Sequence, residues 1–285
     1  MCIGIIALRG AGESTLLRLA AGLESAEAGE IVGPAERRLV RFGEAVEALP
    51  VLAVDASVCC EDVLSRAQSA IALESARRAG STVLIASYDE KLLMRIADEI
   101  WWLKDGRIET AGDPREVLPK FRAYVADALS DWGKGRPQPI DLRWRRGDGR
   151  ASIELLETID AAGQPALVWR SGDEVAIRVV VRFGEAVESP VLGIMLRTRV
   201  GFEVYGTNSE LENARIGRCE AGDLVRAVFR FRCDLCPGDY TVTAASHDPD
   251  GTAHDWLDDA VAVTVTDSRY TAGVANLRAK VEIQR

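Results

Sequence analysis

Arg9-Gly-Ala-Gly-Glu-Ser-Thr15 stands between an apolar run, Ile3–Leu8, and an amphipathic stretch, Leu16–Leu23. A strand, a glycine-rich turn and a helix in that order build a cradle whose backbone N–H groups wrap phosphates at a helix N-terminus. Two side chains normally complete it. A lysine after the last glycine reaches the β- and γ-phosphates, and a neighbouring hydroxyl holds magnesium. Gly10, Gly12, Ser14 and Thr15 are in place, but residue 13 is a glutamate and the expected first glycine is Ala7. A carboxylate about 4 Å from a phosphate oxygen is repelled by about 4 kcal/mol at an effective dielectric of 20, on the order of a thousandfold in binding.

A second constellation is Cys233-x-x-Cys236, half of a zinc-ligand pattern. No second pair follows at the usual interval, and His247 and His254 lack the short spacing of a histidine ligand pair. The two read as reduced cysteines at a strand end before the Pro237-Gly238 turn, with metal the alternative. Cys59-Cys60 reads as buried thiols.

These residues need elements to position them. A chain of 285 residues that is 47% hydrophobic and 28% charged has room for two domains with their own cores. An ordinary apolar content excludes disorder of the whole chain. With 44 acidic against 35 basic residues and a net charge of -9, nucleic acid is not an expected partner, since phosphates demand a basic face. No run of about 18 apolar residues occurs, and Met1–Arg9 is too short for a signal peptide. The expected location is the cytoplasm.

Ile3–Leu8, Val51–Val54, Thr82–Ala86 and Ile100–Leu103 are short and almost wholly apolar, as strands buried on both faces are. Ser14–Leu23, Glu61–Ala79 and Glu90–Ala97 alternate with them at helical spacing. A helix from Pro114 to about Ser130 follows, capped by Asp113. This alternation predicts an α/β domain with a parallel sheet over residues 1–130. Residues 131–148, with two prolines and a basic cluster at Arg143, Arg145 and Arg146 that continues to Arg150, read as a solvated linker. An anionic membrane surface is the other reading of that cluster.

From Ala151 the period becomes two. Ser152–Leu155, Glu174–Val181, Gly193–Arg199, Leu224–Arg232, Tyr240–Ala245 and Val261–Val265 alternate or are β-rich, with turn signals between them. They predict an all-β immunoglobulin-like sandwich over residues 149–285. Val274–Val281 is expected to add a strand to a partner. The string VRFGEAVE occurs twice, at 40–47 and 181–188, in settings too unlike for a structural repeat.

Gly10-Ala-Gly-Glu-Ser-Thr-Leu-Leu, Leu19-Ala-Ala-Gly-Leu and Ala28-Gly-Glu-Ile resemble the opening of an ABC-transporter ATPase domain. Val51-Leu-Ala-Val-Asp55 resembles its Walker B strand, Ser81–Asp89 the strand before its switch histidine, and Asp98–Ile108 with Gly112–Val117 its end. The resemblance keeps its order over residues 3–130. It implies a magnesium-side role for Asp55, but Ala56 stands at the base position and Tyr88 at the switch histidine. Only 19 residues separate Ile31 from Val51, where the family carries its Q-loop, helical subdomain and signature motif. The resemblance therefore implies vestigial nucleotide contacts at Gly10, Gly12, Ser14, Thr15 and Asp55, no catalytic residue, ATP and magnesium bound weakly at most, and no turnover.

Gly149–Leu155, Val204-Tyr-Gly-Thr-Asn-Ser209, Pro237–Val242 and Ser246-His-Asp-Pro-Asp-Gly with Asp255-Trp256 resemble the carbohydrate-binding C-terminal domain of Wzt-type ATP-binding subunits of O-antigen and polysaccharide exporters. Ala272–Glu282 is similar to that family's last strand, which relatives exchange between subunits. The resemblance implies a glycan site at Tyr205, Asn208, His247, Asp248 and Trp256, with Trp169 and Phe202 adding stacking area. Aromatic faces suit sugar C–H surfaces, and amides and carboxylates pair with hydroxyls. Each residue also has a structural reading: Tyr205 and Trp256 as core, the other three closing turns.

The expected function is a non-hydrolysing ABC-ATPase-like subunit of a polysaccharide exporter that recognises the glycan. It would be a homodimer, or a heterodimer with an intact ABC ATPase, beside a membrane transporter subunit at the inner face of the membrane. The alternatives are an ATP-hydrolysing subunit completed by a partner chain, and a first half that only supports the sandwich.

Overall fold

The computed structural model describes residues 1–283 except 42, 43, 45, 46, 48, 57–62, 137 and 270, with the backbone alone at 63 and 65. Cys59 and Cys60 lie outside the described residues. The chain divides into two units, Met1–Arg122 and Ala123–Arg285, upstream of the boundary at 130 read from the sequence.

The first unit runs β1 (Cys2–Ala7), α1 (Glu13–Ala20), β2 (Arg37–Arg41), β3 (Val51–Ala56), α2 (Val63–Arg78), β4 (Thr82–Ser87), α3 (Glu90–Ile96), β5 (Glu99–Lys104) and β6 (Arg107–Gly112), then enters α4 (Pro114–Gly133). Its sheet has the order β2-β3-β4-β1-β5-β6. The first five strands are parallel. The expected all-parallel sheet is corrected to a mixed one, because β6 pairs with β5 as an antiparallel hairpin. Asp105 and Gly106 turn that hairpin with φ of 48° and 74°, the left-handed pair that a tight hairpin turn requires. Asp89 caps α3 by accepting from the Lys91 and Leu92 amides. Asp113 caps α4 through the Arg115 amide.

The second unit continues with β7 (Arg145–Arg146), β8 (Ala151–Ile159), β9 (Val168–Arg170), β10 (Glu174–Phe183), β11 (Val191–Thr198), β12 (Glu203–Asn208), β13 (Leu224–Arg232), β14 (Gly238–His247) and β15 (Ala253–Thr266). One sheet has the order β13-β10-β8, the other β12-β11-β14-β15-β7, with β9 joining β15 in parallel. Period-two burial drives the two sheets together. Val175, Ile177, Val179, Val181 and Phe183 of β10 pack with Leu192, Val242 and Val263 of the facing sheet. Trp169 is core, 1% exposed, with its indole N–H donating to the Ile159 carbonyl and its ring edge-on to Phe231.

Residues 131–148 are hydrogen-bonded to this sandwich at several points. Gly135 donates to the Pro165 carbonyl, Asp141 to Ala260 and Asp148 to Ala253, and β7 pairs with Trp256 and Leu257. The basic cluster is matched by acids: Arg143 with Asp141, Arg145 with Asp255, Arg146 with Asp258, and Arg150 with Asp148 and Asp248. Gly147, at φ 147°, passes so close to β15 that an added Cβ would sit 2.3 Å from the His254 carbonyl oxygen. Gly147→Ala is therefore expected to destabilise the second unit by about 2–3 kcal/mol, read as a lower denaturation midpoint at unchanged slope.

The tail also returns to its own unit. Cys236 donates to the Val274 carbonyl, Asn276 to Asp234, and Arg278 bonds Asp234. Cys233 and Cys236 are unbridged and buried, and burial pushes the Cys233 thiol up to about 11. The second VRFGEAVE copy leaves β10 for a loop in which Val187 bridges Cys219. The first begins on β2 and passes outside the described residues. Among the described residues, no helix is long and apolar enough to cross a membrane.

Candidate functional site

On the outer face of the larger sheet, the register sets small residues side by side. Gly193 lies opposite Asn208 on β12 and Ala245 on β14. Met195 lies opposite Gly206 and Thr243, and Ala245 opposite Trp256 on β15. Gly193 and Ala245 carry almost no side chain, so a trough opens between the bulkier residues around them, while the Met195 side chain lies across Gly206. It is a cleft of about 360 Å³, within the usual range of small-ligand sites.

Four of the five residues read from the sequence line this cleft: Tyr205, Asn208, His247 and Trp256. Asp248 is not among the lining residues. Its carboxylate accepts from Arg150 at 2.7 Å and lies 3.2 Å from His254 Nε2. Burial works to raise the Asp248 pKa, but the Arg150 and His254 contacts hold it below its ordinary value. Phe202 is exposed, at the end of β12, and is not part of the lining.

The polar atoms have defined roles. His247 Nδ1 is 2.7 Å from the Asp248 carbonyl oxygen. A carbonyl only accepts, so Nδ1 carries a proton there, and in that neutral tautomer Nε2 is an acceptor. That Nε2 is 4.0 Å from where a Cβ on Gly193 would stand, at the trough floor. Asn208 Oδ1 accepts from the Leu211 amide at 2.8 Å, leaving Nδ2 to offer donors. The turn-closing reading of Asn208 and a ligand role are thus compatible. Trp256 donates its indole N–H to Asp258 at 3.0 Å. Arg146 covers its ring at 4.4 Å, and His247 leans on it with centroids 6.4 Å apart. Trp256 therefore props His247. Tyr205 lines the cleft at the sheet edge, 44% exposed, but it pairs with Leu196 of the core and its ring lies against Phe231 at 6.2 Å, on the inner side of the sheet. Glu203, Met195, Thr243 and Gly193 are among the other residues of the lining. They escaped sequence reading because a strand's small residues and edge acids signal nothing until the neighbouring strands are in register.

Behind the cleft, Ser246 Oγ is 3.1 Å from His254 Nδ1, whose Nε2 faces Asp248. This serine–histidine–aspartate series resembles a hydrolytic triad in order. Ser246 and His254 are 0% and 1% exposed, so no substrate reaches the hydroxyl, and the series is a buried polar strut.

In the first unit, the residues read from the glycine loop gather at the C-terminal ends of adjacent parallel strands. Gly10 and Gly12 adopt φ of 88° and 102° in the loop between β1 and α1. Asp55 pairs in register with Ala86, and Ala56 with Ser87, one residue before Tyr88. Thr15 Oγ1 accepts from Arg18. Glu13 is 8% exposed, and its Oε1 accepts from the Tyr88 hydroxyl at 3.0 Å, while Oε2 is buried without a hydrogen-bond partner. Burial, then the bond to Glu13, pushes the Tyr88 phenol above its ordinary pKa. Two groups read from the sequence as departures from a working site thus bond to each other.

Residues 143–277 match the model of the Wzt C-terminal domain family. The chain is 20% identical over 207 residues, 69% of its length, to the O-antigen export system ATP-binding protein RfbB of Myxococcus xanthus. It is 26% identical over 78 residues, 27% of its length, to the teichoic acids export ATP-binding protein TagH of Lactococcus lactis. These alignments cover 47% and 16% of the relatives, so the chain spans less than half the length of either. A crystal structure of the C-terminal domain of Wzt superposes with a TM-score of 0.48 at 26% identity, covering 52% of this chain and 93% of that one. The likeness read from the sequence stands: this chain resembles the Wzt-type ATP-binding subunits of polysaccharide exporters, and its residues 143–277 match the model of the Wzt C-terminal domain.

Proposed function

We propose that the chain recognises an export polysaccharide through the cleft of its second unit and does not hydrolyse nucleotide in its first. The carrying observation is the convergence of Tyr205, Asn208, His247 and Trp256, from three strands, on one trough floored by glycine and alanine. An imidazole acceptor and an amide donor are groups that pair with sugar hydroxyls. Asp248 serves the site from behind, by fixing Arg150 and receiving the His247 bond on its carbonyl.

The Glu13–Tyr88 bond supports the second half of the proposal. A nucleotide's terminal phosphate would meet a buried carboxylate in place of a lysine, and Ala56 supplies no base for the attacking water. Such a chain acts beside a membrane transporter subunit on the cytoplasmic side, paired with a second copy or with an intact ATPase. It selects cargo rather than driving transport.

Purified full chain with magnesium and ATP is expected to show no phosphate release above background, and Glu13→Lys alone is expected not to restore it. Magnesium-dependent turnover by the wild-type chain would overturn the non-hydrolysing reading. Turnover appearing only with an added ABC ATPase partner, and abolished by Asp55→Ala in this chain, would establish the partner-completed alternative.

A further inference from the structure

We infer that the cleft selects an uncharged sugar unit and turns acidic sugars away, an inference that rests on the glycan reading above. Among the described residues the lining contains no lysine or arginine, and its one carboxylate is Glu203. Two guanidiniums stand nearby, and both are committed. Arg197 lies 3.1 Å from Asp258, 3.2 Å from Glu203 and 3.8 Å from Asp259. Arg146 lies 3.4 Å from Asp258 and stacks on Trp256. Two cations facing three carboxylates leave this rim one negative charge in excess.

A uronate or phosphate entering the trough loses hydration that only a cation can replace. Among the described residues of this rim, none is uncommitted, and Glu203 adds repulsion. A neutral sugar asks less of the site. Two of its adjoining hydroxyls are satisfied by one acceptor and one donor. His247 Nε2 is that acceptor and Asn208 Nδ2 that donor. The selectivity is built in by what the trough withholds as much as by what it offers.

The test is binding of the full chain to an array of neutral, uronate-bearing and phosphate-bearing bacterial oligosaccharides of matched length. Wild type is expected to bind neutral members. Glu203→Gln is expected to shift the ratio of uronate-bearing to neutral binding by roughly fivefold towards the acidic members, the weight of one screened charge at contact distance. Preferential binding of uronate- or phosphate-bearing glycans by wild type, or an unchanged ratio in the variant, would overturn the selectivity. A folded chain that binds no glycan at all would instead overturn the recognition reading, and this inference with it.

Discussion

Asp255→Ala lowers the stability of the second unit by about 3 kcal/mol, with a fall in its thermal midpoint of about 10 °C. The Asp255 side chain is 4% exposed and every bond it accepts is strong. Arg145 reaches it through Nε at 2.8 Å and Nη2 at 2.6 Å, and the Ile153 amide donates at 2.6 Å. Ile153 belongs to β8 of the smaller sheet and Asp255 to β15 of the larger, so one carboxylate ties the two sheets and the incoming β7 segment. Truncation leaves the guanidinium with Ser152 Oγ alone and a buried amide without a partner, and the loss of partners, not of the pair's own attraction, sets the size of the effect. Asp255→Asn keeps the shape and at most part of the bonding, and is expected to fall between alanine and wild type. Chemical denaturation followed by tryptophan fluorescence reads this directly. A loss below about 1 kcal/mol for the alanine variant would mean that the carboxylate is not a junction.

Gly193→Leu removes glycan binding by on the order of a hundredfold, as truncating or blocking a central contact does in most recognition sites. The backbone of Gly193 is not in the left-handed region. A Cβ there meets Asn208 Cβ at 3.4 Å and the Thr207 carbonyl oxygen at 3.5 Å, contacts the fold tolerates with small adjustment. The rest of the leucine side chain then occupies the trough beside His247. Stability should change by less than about 1 kcal/mol, which separates a filled cleft from an unfolded domain. Titration calorimetry of the folded variant against the envelope polysaccharide of the source organism reads the affinity, and undiminished binding would move the site elsewhere.

The central strands were legible in the sequence because burial on both faces leaves an uninterrupted apolar run. Cys2–Ala7 and Thr82–Ser87 are such runs, and they lie in the middle of the first sheet. The edges were not. Arg37-Arg-Leu-Val-Arg41 and Arg107-Ile-Glu-Thr-Ala-Gly112 flank that sheet with polar side chains, so their strand identity is decided by pairing with a neighbour rather than by their own pattern. Segment 131–148 misled for a related reason. Its prolines, glycines and arginines look like a solvated connector, yet aspartates more than a hundred residues downstream, Asp255 and Asp258, hold its arginines.

At the cleft, side-chain chemistry was readable from the unusual strings around Tyr205 and His247, but geometry was not. That Trp256 is covered by Arg146 follows from the register of β15 with β7, and that Asp248 faces Arg150 and not the trough is a contact across 98 residues of chain. Likewise, Glu13 and Tyr88 were each readable as a departure from a working nucleotide site. Their mutual hydrogen bond is a tertiary fact across 75 residues of chain.

A crystal structure of the full chain with an oligosaccharide of the source organism's envelope polysaccharide is the most direct measurement. The account places a sugar ring above Gly193, with hydroxyls bonded to His247 Nε2 and Asn208 Nδ2. A saccharide bound on another face of the second unit, with this trough holding only water, would contradict it.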